Sequence, residues 1–164
     1  MIRDMLQLNI QNETATLKAV ILGTAKSIGA IPKPEDCYDP KSLQHVLNGT
    51  YPKEQDMISE MDAVAAIFKK YDIKVFRPEI IEDYNQIFTR DIAFVIDDKL
   101  IKANILPDRE KEYLAIQHVL DQISPKNIIQ LPAECHVEGG DVMPWNEYVF
   151  MGTYSGDDYA DFIT

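Results

Sequence analysis

Basic residues, cysteine, tryptophan and glycine are all scarce in this chain of 164 residues. It has 16 Lys and Arg against 27 Asp and Glu, 2 cysteines, 1 tryptophan and 7 glycines. The resulting net charge of −11 argues against nucleic acid and anionic membrane surfaces as partners, because both require a basic surface. Cys37 and Cys135 are too few and too far apart for a disulfide framework, which favours a reduced environment.

Long apolar runs are also missing. The longest, such as Ala63–Phe68 and Ile92–Ile96, fall far short of the roughly 20 residues that span a bilayer. Residues 1–4 contain a charge pair and lack the pattern of a secretory signal. The composition, 46% apolar and 26% charged, is typical of a globular domain. We therefore expect a cytoplasmic protein with one domain over residues 1–164.

The hydrophobic pattern predicts an α/β fold. An apolar strand at Leu17–Thr24 precedes a proline-rich irregular insertion over Ala25–Pro52, with a short helix at Lys41–Leu47. Apolar residues at helical spacing predict longer helices over Lys53–Tyr71 and Asp108–Ser124. The predicted apolar faces are Met57, Met61, Val64 and Phe68 in the first helix and Tyr113, Ile116, Val119, Leu120 and Ile123 in the second. The other predicted strands lie at Ile73–Arg77, Ile92–Ile96, Lys99–Ala103, Asn127–Leu131, Asp141–Pro144 and Tyr148–Thr153. Two hairpins are predicted among them, with turns at Asp97-Asp98 and Asn146-Glu147.

The order of these elements repeats after about fifty residues. Thr89–Ile92 and Gly139–Val142, fifty residues apart, each place an aspartate directly before an apolar strand. Ile73–Pro78 matches Ile128–Pro132, where a strand ends at a proline. Such a period is typical of stacked supersecondary units. It predicts ββαβ units, of which the chain holds a partial first, a complete second and the opening hairpin of a third.

The matched segments are the best candidates for chemistry. Taken singly, Asp91 and Asp141 fit the ordinary role of an aspartate in a turn. At equivalent points of a radial array, however, carboxylates converge and repel each other unless a cation lies between them. A planar guanidinium can bind two carboxylates, and Gly139 and Gly140 would let the backbone approach a ligand closely. The matched spacing therefore favours function.

Two motifs, Phe88–Asp91 and Glu138–Pro144, resemble those of the guanidino-group-modifying enzymes of the pentein fold. These enzymes include glycine and inosamine amidinotransferases, arginine deiminase and dimethylarginine hydrolase. The resemblance extends from about Leu17 to the end of the chain. It implies a pentein-type α/β propeller built of ββαβ repeats, of which this chain is the N-terminal portion, about the first half.

The resemblance also implies a site. The substrate guanidinium would lie between Asp91 and Glu138, which are the expected catalytic residues. Phe88 would line the guanidinium slot, and Asp141 would orient its turn or reach the edge of the substrate. A lysine or arginine of the same chain buried against either acid would contradict this assignment. The residues expected to bind substrate are Phe88, Arg90, Asp141, Gly139 and Gly140.

The implied reaction is covalent. In the family a Cys thiolate attacks the guanidinium carbon and a His transfers protons, and both residues lie in later units. The given chain is therefore expected to be inactive by itself. Amidino transfer is the first hypothesis, because the insertion over Ala25–Pro52 could shape an acceptor site. Hydrolysis of a guanidine is the second hypothesis, and a non-catalytic binding protein of the same fold is the alternative from another class.

The expected partner is a small guanidino compound such as arginine. No cofactor is expected, and no metal, since the three histidines and two cysteines lie at no metal-binding spacing. Strand edges left exposed in a partial array predict a homo-oligomer.

Overall fold

The computed structural model describes residues 5–37, 40–105 and 107–153. The chain divides into two compact units, here called the first unit (Ala19–Ile87) and the second unit (Met1–Lys18 with Phe88–Thr164). A single domain over residues 1–164 stays a prediction. Within the described ranges, no helix is both long enough and apolar enough to cross a bilayer.

The first unit is built on a pair of parallel strands. β1 (Ala19–Ile21) pairs with β2 (Lys74–Phe76), and the connection between them contains α1 (Pro40–Leu47) and α2 (Glu54–Lys70). Parallel neighbours require a long crossover of this kind, because a tight turn can join only antiparallel strands. Both predicted strands and both predicted helices of this part are confirmed.

Helix α2 presents its apolar residues much as the spacing predicts. Met57, Met61 and Phe68 lie on the predicted face and are partly buried. Val64, also predicted there, is exposed, and Ala65 is partly buried instead. Ala65 continues the 3.6-residue period from Met61, whereas Val64 falls at the border of the apolar face.

A buried glutamine joins the loops of the first unit. Gln86 is 1% exposed, and its side-chain carbonyl accepts a hydrogen bond from the Ile81 N–H at 2.8 Å. Its amide donates to the Glu79 carbonyl at 2.8 Å, and its backbone carbonyl accepts from the Thr24 N–H at 3.0 Å. A buried amide is stable only with such partners, so this side chain fixes the loop that follows β2.

The second unit contains two hairpins and three short helices. Its three-stranded sheet has the order β3-β4-β5, with β3 antiparallel to β4 and β4 parallel to β5. A separate two-stranded sheet is formed by β6 and β7. The helices are α3 (Thr89–Ile92), α4 (Lys111–Ala115) and α5 (Gln117–Leu120). The strands are β3 (Ala93–Ile96), β4 (Lys99–Lys102), β5 (Ile128–Gln130), β6 (Val142–Trp145) and β7 (Tyr148–Met151).

Both predicted hairpins are confirmed, with their turns at the predicted residues. Asp97 and Asn146 have φ of 50° and 55°, in the left-handed region that Asp and Asn tolerate better than most residues. The N-terminal segment contacts both turns. The Ile10 N–H donates to the Asp97 carbonyl at 3.0 Å, and the Asn146 N–H donates to the Gln11 carbonyl at 2.7 Å.

The prediction of one continuous helix over Asp108–Ser124 is wrong. A 3₁₀ turn at Pro107–Arg109 precedes α4, and Ile116, with φ −106° and ψ 6°, separates α4 from α5. The Ile116 N–H bonds the Tyr113 carbonyl three residues earlier, as in a 3₁₀ turn. The residues of the predicted apolar face are nevertheless buried or partly buried, as expected. Packing rather than helical propensity therefore sets the backbone of this segment.

The core of the second unit anchors both motifs. Ile92 and Val142, which directly follow Asp91 and Asp141, are fully buried. Val142 packs in a cluster with Phe94 from β3 and Ile101 from β4. Each aspartate therefore lies one residue away from a core position that cannot move freely.

The second hairpin, in contrast, exposes much apolar surface. Its exposed large side chains are Met143, Trp145, Tyr148, Val149, Phe150 and Met151. Within the described residues, β7 pairs with β6 and with no other strand. An exposed apolar surface of this kind on a strand edge is typical of an interaction site.

The contribution of the buried Gln86 side chain to stability can be measured directly. We expect Gln86→Leu to lower the free energy of unfolding by about 2 kcal/mol, because the Ile81 N–H and the Glu79 carbonyl lose their partner. Urea denaturation measures the change. Gln55→Leu, at an exposed position of α2, is the control, and equal stabilities of the two variants would contradict the role of Gln86.

Candidate functional site

The first motif folds as a single helical turn. In α3 the Asp91 N–H donates to the Phe88 carbonyl at 3.1 Å. The Ile92 carbonyl accepts hydrogen bonds from the Ala103 N–H at 3.0 Å and from the Tyr113 hydroxyl at 2.7 Å. These bonds fix the end of the helical turn, and they therefore also fix the backbone position from which the Asp91 side chain projects.

The second motif folds as a short turn after an extended residue. Glu138 has φ −94° and ψ 145°, and Gly139–Asp141 forms a 3₁₀ turn. The Asp141 N–H donates to the Glu138 carbonyl at 3.0 Å, and the Gly152 N–H donates to the Asp141 carbonyl at 2.8 Å. The turn is therefore closed at its own start and bonded to the segment that follows β7.

Arg90 joins the two motifs. Its Nε donates to the Gly139 carbonyl at 2.7 Å, and its Nη2 donates to the Val142 carbonyl at 2.7 Å. Nη2 also lies 2.9 Å from the Glu13 carboxylate. A side chain at Gly139 would overlap the Arg90 backbone carbonyl, so the close approach of the motifs requires glycine there.

Asp91 and Glu138 meet at one guanidinium, and that guanidinium belongs to Arg109. The same nitrogen, Nη1, lies 3.1 Å from Asp91 Oδ2 and 3.4 Å from Glu138 Oε1. Nη2 donates to the Phe88 carbonyl at 3.3 Å. The two acids thus converge on a planar cation, but the cation is an arginine of the same chain, which is the arrangement named above as contradicting a substrate clamp. Substrate binding by Asp91 and Glu138 stays a prediction.

Glu112 holds Arg109 in place. Its two oxygens accept from Arg109 Nε at 2.7 Å and from Nη2 at 3.4 Å, which is a bidentate pair. Burial acts to lower the pKa of Arg109, but the bonds and charge of Glu112, followed by those of Asp91, outweigh burial and raise it. Arg109 is thus a permanent cation at this position.

Folding disfavours the ionised form of Glu138. Burial, followed by the charge of Asp91, raises the pKa of the Glu138 carboxyl above its ordinary value. Arg109 opposes this change, and the charges of Asp141 and Glu112 add to it. The nearby Tyr113 hydroxyl is also affected, since burial, with the charge of Glu112, raises its pKa to about 12.

The remaining residues of the predicted site lie around this group. Phe88 is exposed and contributes its carbonyl to Arg109. A side chain on Gly140 would come within 3.1 Å of Asp91 Oδ1, so this glycine leaves one face of the carboxylate open. Asp141 is exposed at the base of the second hairpin. Arg90 bonds protein groups, and a contact of any of these four with substrate stays a prediction.

Sequence reasoning missed Arg109 and Glu112. Their spacing of three residues at the start of a helical segment is a signal, but such pairs are common on exposed helix surfaces. The burial of Glu112 was not foreseeable from the pattern, which placed the apolar face on Tyr113 and Ile116. In the structure this segment faces the two motifs through Arg109.

A polar cleft of about 440 Å³ adjoins this helix. It is lined in part by Lys102, Asn104, Glu110, Tyr113 and Gln130. The Lys102 ammonium lies 4.4 Å above the centre of the Tyr113 ring, a cation–π contact. Because Gln130 donates to Asn104, the cleft offers mainly the charged groups of Lys102 and Glu110 to a small polar molecule.

No protein-family model matches this chain, and no curated protein matches it. Solved structures do. SxtG, an amidinotransferase from Microseira wollei in the saxitoxin biosynthetic pathway, is similar with a TM-score of 0.60 and 16% identity, over 83% of this chain and 52% of its own. Inosamine-phosphate amidinotransferase StrB1 from Streptomyces griseus gives 0.58 and 18%, over 86% and 53%.

The second kind of similar structure is a hydrolase. DDAH from Pseudomonas aeruginosa, as a mutant complexed with citrulline, gives a TM-score of 0.60 and 14% identity, over 90% of this chain and 55% of its own. At such identities the likeness shows the fold. It confirms the pentein-type α/β fold that the two motifs predict, and this chain spans about half the length of the solved structures it matches.

The pKa of Glu138 generates a pH-dependent prediction. Because folding raises this pKa, the ionised carboxylate destabilises the folded state, and the protein loses stability as the pH rises from about 4.5 through the folded value. We expect Glu138→Gln to raise the melting temperature at pH 7 and to have little effect below pH of about 4.

Thermal melting at the two pH values measures this effect. Glu147→Gln, in the exposed turn of the second hairpin, controls for the loss of one negative charge. A lower melting temperature of Glu138→Gln at pH 7 would show instead that the ion pair with Arg109 outweighs burial.

Proposed function

We propose that the chain binds the guanidino group of an arginine-like substrate at Asp91 and Glu138, as part of an amidinotransferase-like enzyme. One observation carries this proposal: two carboxylates from separate motifs converge on a single guanidinium, at 3.1 Å and 3.4 Å. A pair of acids with this separation and orientation is suited to a planar cation with several N–H donors.

The resident Arg109 does not satisfy the charge of this site. Asp91, Glu112 and Glu138 carry three negative charges against the one positive charge of Arg109. Among these four side chains the carboxylates outnumber the cation, which favours the approach of a further cation. Arg109 meets the condition stated above as contradicting a clamp of Asp91 and Glu138. The proposal therefore requires substrate to bind the carboxylate oxygens that Arg109 does not contact.

The proposed reaction belongs to the whole enzyme. A Cys thiolate would attack the guanidinium carbon, the amine would leave with a proton from a His, and the amidino group would pass from sulfur to an acceptor amine. Asp91 and Glu138 would fix the planar group for attack. Neither the Cys nor the His of this scheme is assigned in the given chain, so we expect the chain to bind the guanidino substrate without converting it.

Hydrolysis is the second candidate. Transfer of the same amidino group to water would make the enzyme a guanidine hydrolase. The similarity to dimethylarginine dimethylaminohydrolases, with TM-scores of 0.60 and 0.61, is close to that to the amidinotransferases and so favours neither reaction.

The expected cytoplasmic location is kept as part of the proposal, because both cysteines, Cys37 and Cys135, are free.

A homo-oligomer is part of the proposal. The exposed apolar side chains of β6 and β7 provide a contact surface. The edge of β7 that pairs with no strand of residues 5–37, 40–105 and 107–153 provides hydrogen-bonding groups. A second copy of the chain, with the same hairpin, would cover both in a two-fold contact.

Binding of L-arginine to the chain tests the site. We expect Asp91→Asn and Glu138→Gln each to weaken binding by roughly tenfold or more, since each removes a charge-assisted hydrogen bond. Chemical-shift titration measures the affinity. Asp98→Asn, an exposed change elsewhere in the second unit, should leave the affinity unchanged. If both site variants bind as tightly as the unaltered chain, the proposed substrate site is wrong.

Association is tested separately. We expect the chain to form dimers at micromolar concentration and Phe150→Glu to shift it to monomers, because a charge would be buried in an apolar contact. Light scattering after size-exclusion chromatography measures the mass. Leu47→Glu, on the exposed side of α1, is the control. A stable monomer at all concentrations would contradict the oligomer.

A further inference from the structure

We propose that Arg109 is a positioning residue: its guanidinium holds Asp91 and Glu138 from the protein side, and the two remaining carboxylate oxygens receive the substrate. This inference rests on the proposed function, because it assumes that both acids bind a guanidino group. With this arrangement, substrate can still bind the two acids although Arg109 already contacts both of them.

The hydrogen bonds leave half of each carboxylate available. Arg109 contacts Asp91 through Oδ2 and Glu138 through Oε1. Among the described residues, no hydrogen bond engages Asp91 Oδ1 or Glu138 Oε2. A second guanidinium can therefore bind them without competing for the oxygens that Arg109 uses.

Glu138 is the most accessible member of the group. The exposed side-chain fraction is 2% for Glu112, 17% for Arg109, 21% for Asp91 and 44% for Glu138. A molecule arriving from solvent can therefore reach Glu138 more readily than the other three side chains.

The anchor of Arg109 argues against its replacement by substrate. Glu112 is almost fully buried and binds Arg109 through both oxygens. Withdrawal of the guanidinium would remove the cation that compensates this buried carboxylate, which is strongly unfavourable. A substrate that displaced Arg109 would therefore act against the most buried ion pair of the group, whereas one that binds beside it would not.

The three nitrogens of the Arg109 guanidinium together fix the geometry of the acids around it. Nη1 reaches both acids, while Nε and Nη2 bind Glu112 and the Phe88 carbonyl. A lysine has one nitrogen and cannot bind all these groups in a fixed plane. Arg109→Lys keeps the charge of the site and removes its geometry, so it separates positioning from simple neutralisation.

The first arm of the test is the affinity of the chain for L-arginine in Arg109→Lys. Positioning predicts roughly tenfold weaker binding, the effect of misplacing about one charge-assisted hydrogen bond. Tighter binding would show that substrate replaces Arg109, and unchanged affinity would show that Arg109 positions nothing. Either result overturns the proposal. Arg77→Lys, a half-buried arginine of the first unit, is the matched control and should bind as the unaltered chain does.

The second arm measures the Glu138 carboxyl by carbon-13 NMR as a function of pH, without ligand. The charged groups that act on it are Asp91, Asp141, Glu112 and Arg109. Arg109→Gln should raise the titration midpoint of Glu138 while Arg77→Gln leaves it in place, and no change in Arg109→Gln would overturn the proposal. If the unaltered chain binds no L-arginine, the proposed function fails, and this arm still decides whether Arg109 stabilises the ionised form of Glu138.

Discussion

The site depends on one guanidinium shared by three carboxylates. Arg109 connects Asp91, Glu112 and Glu138, which come from three separate segments of the chain. Isolated in a partly buried position, these acids would repel one another and favour protonation. With Arg109 between them they can remain close and still carry excess negative charge. That excess makes the group a candidate for binding a further cation and more than a structural ion-pair network.

The backbone around this group is equally constrained. Arg90 bonds the carbonyls of Gly139 and Val142, so the turn that carries Glu138 is attached to the helical turn that carries Asp91. Ile92 and Val142 extend directly from these turns into the core. A binding site held on such short, anchored segments loses little conformational freedom when a ligand arrives, which favours specific recognition over loose ion binding.

Local patterns predicted the parts of this structure that depend on nearby residues. Turn residues such as Asp97 and Asn146 placed both hairpins, and the spacing of Ile116 and Val119 identified a buried face. The break at Ile116 was missed because burial of Ile116 and Val119 in the folded chain, and not the local pattern, sets that backbone. Arg109 was missed for the same reason: its partners Asp91 and Glu138 are 18 and 29 residues away, and no local period reports such a contact.

A structure of the chain bound to L-arginine tests the central claim most directly. The account predicts the ligand guanidinium at hydrogen-bond distance from Asp91 Oδ1 and Glu138 Oε2, with Arg109 still paired to Glu112. A ligand bound elsewhere, or a ligand in the place of the Arg109 side chain, would contradict it.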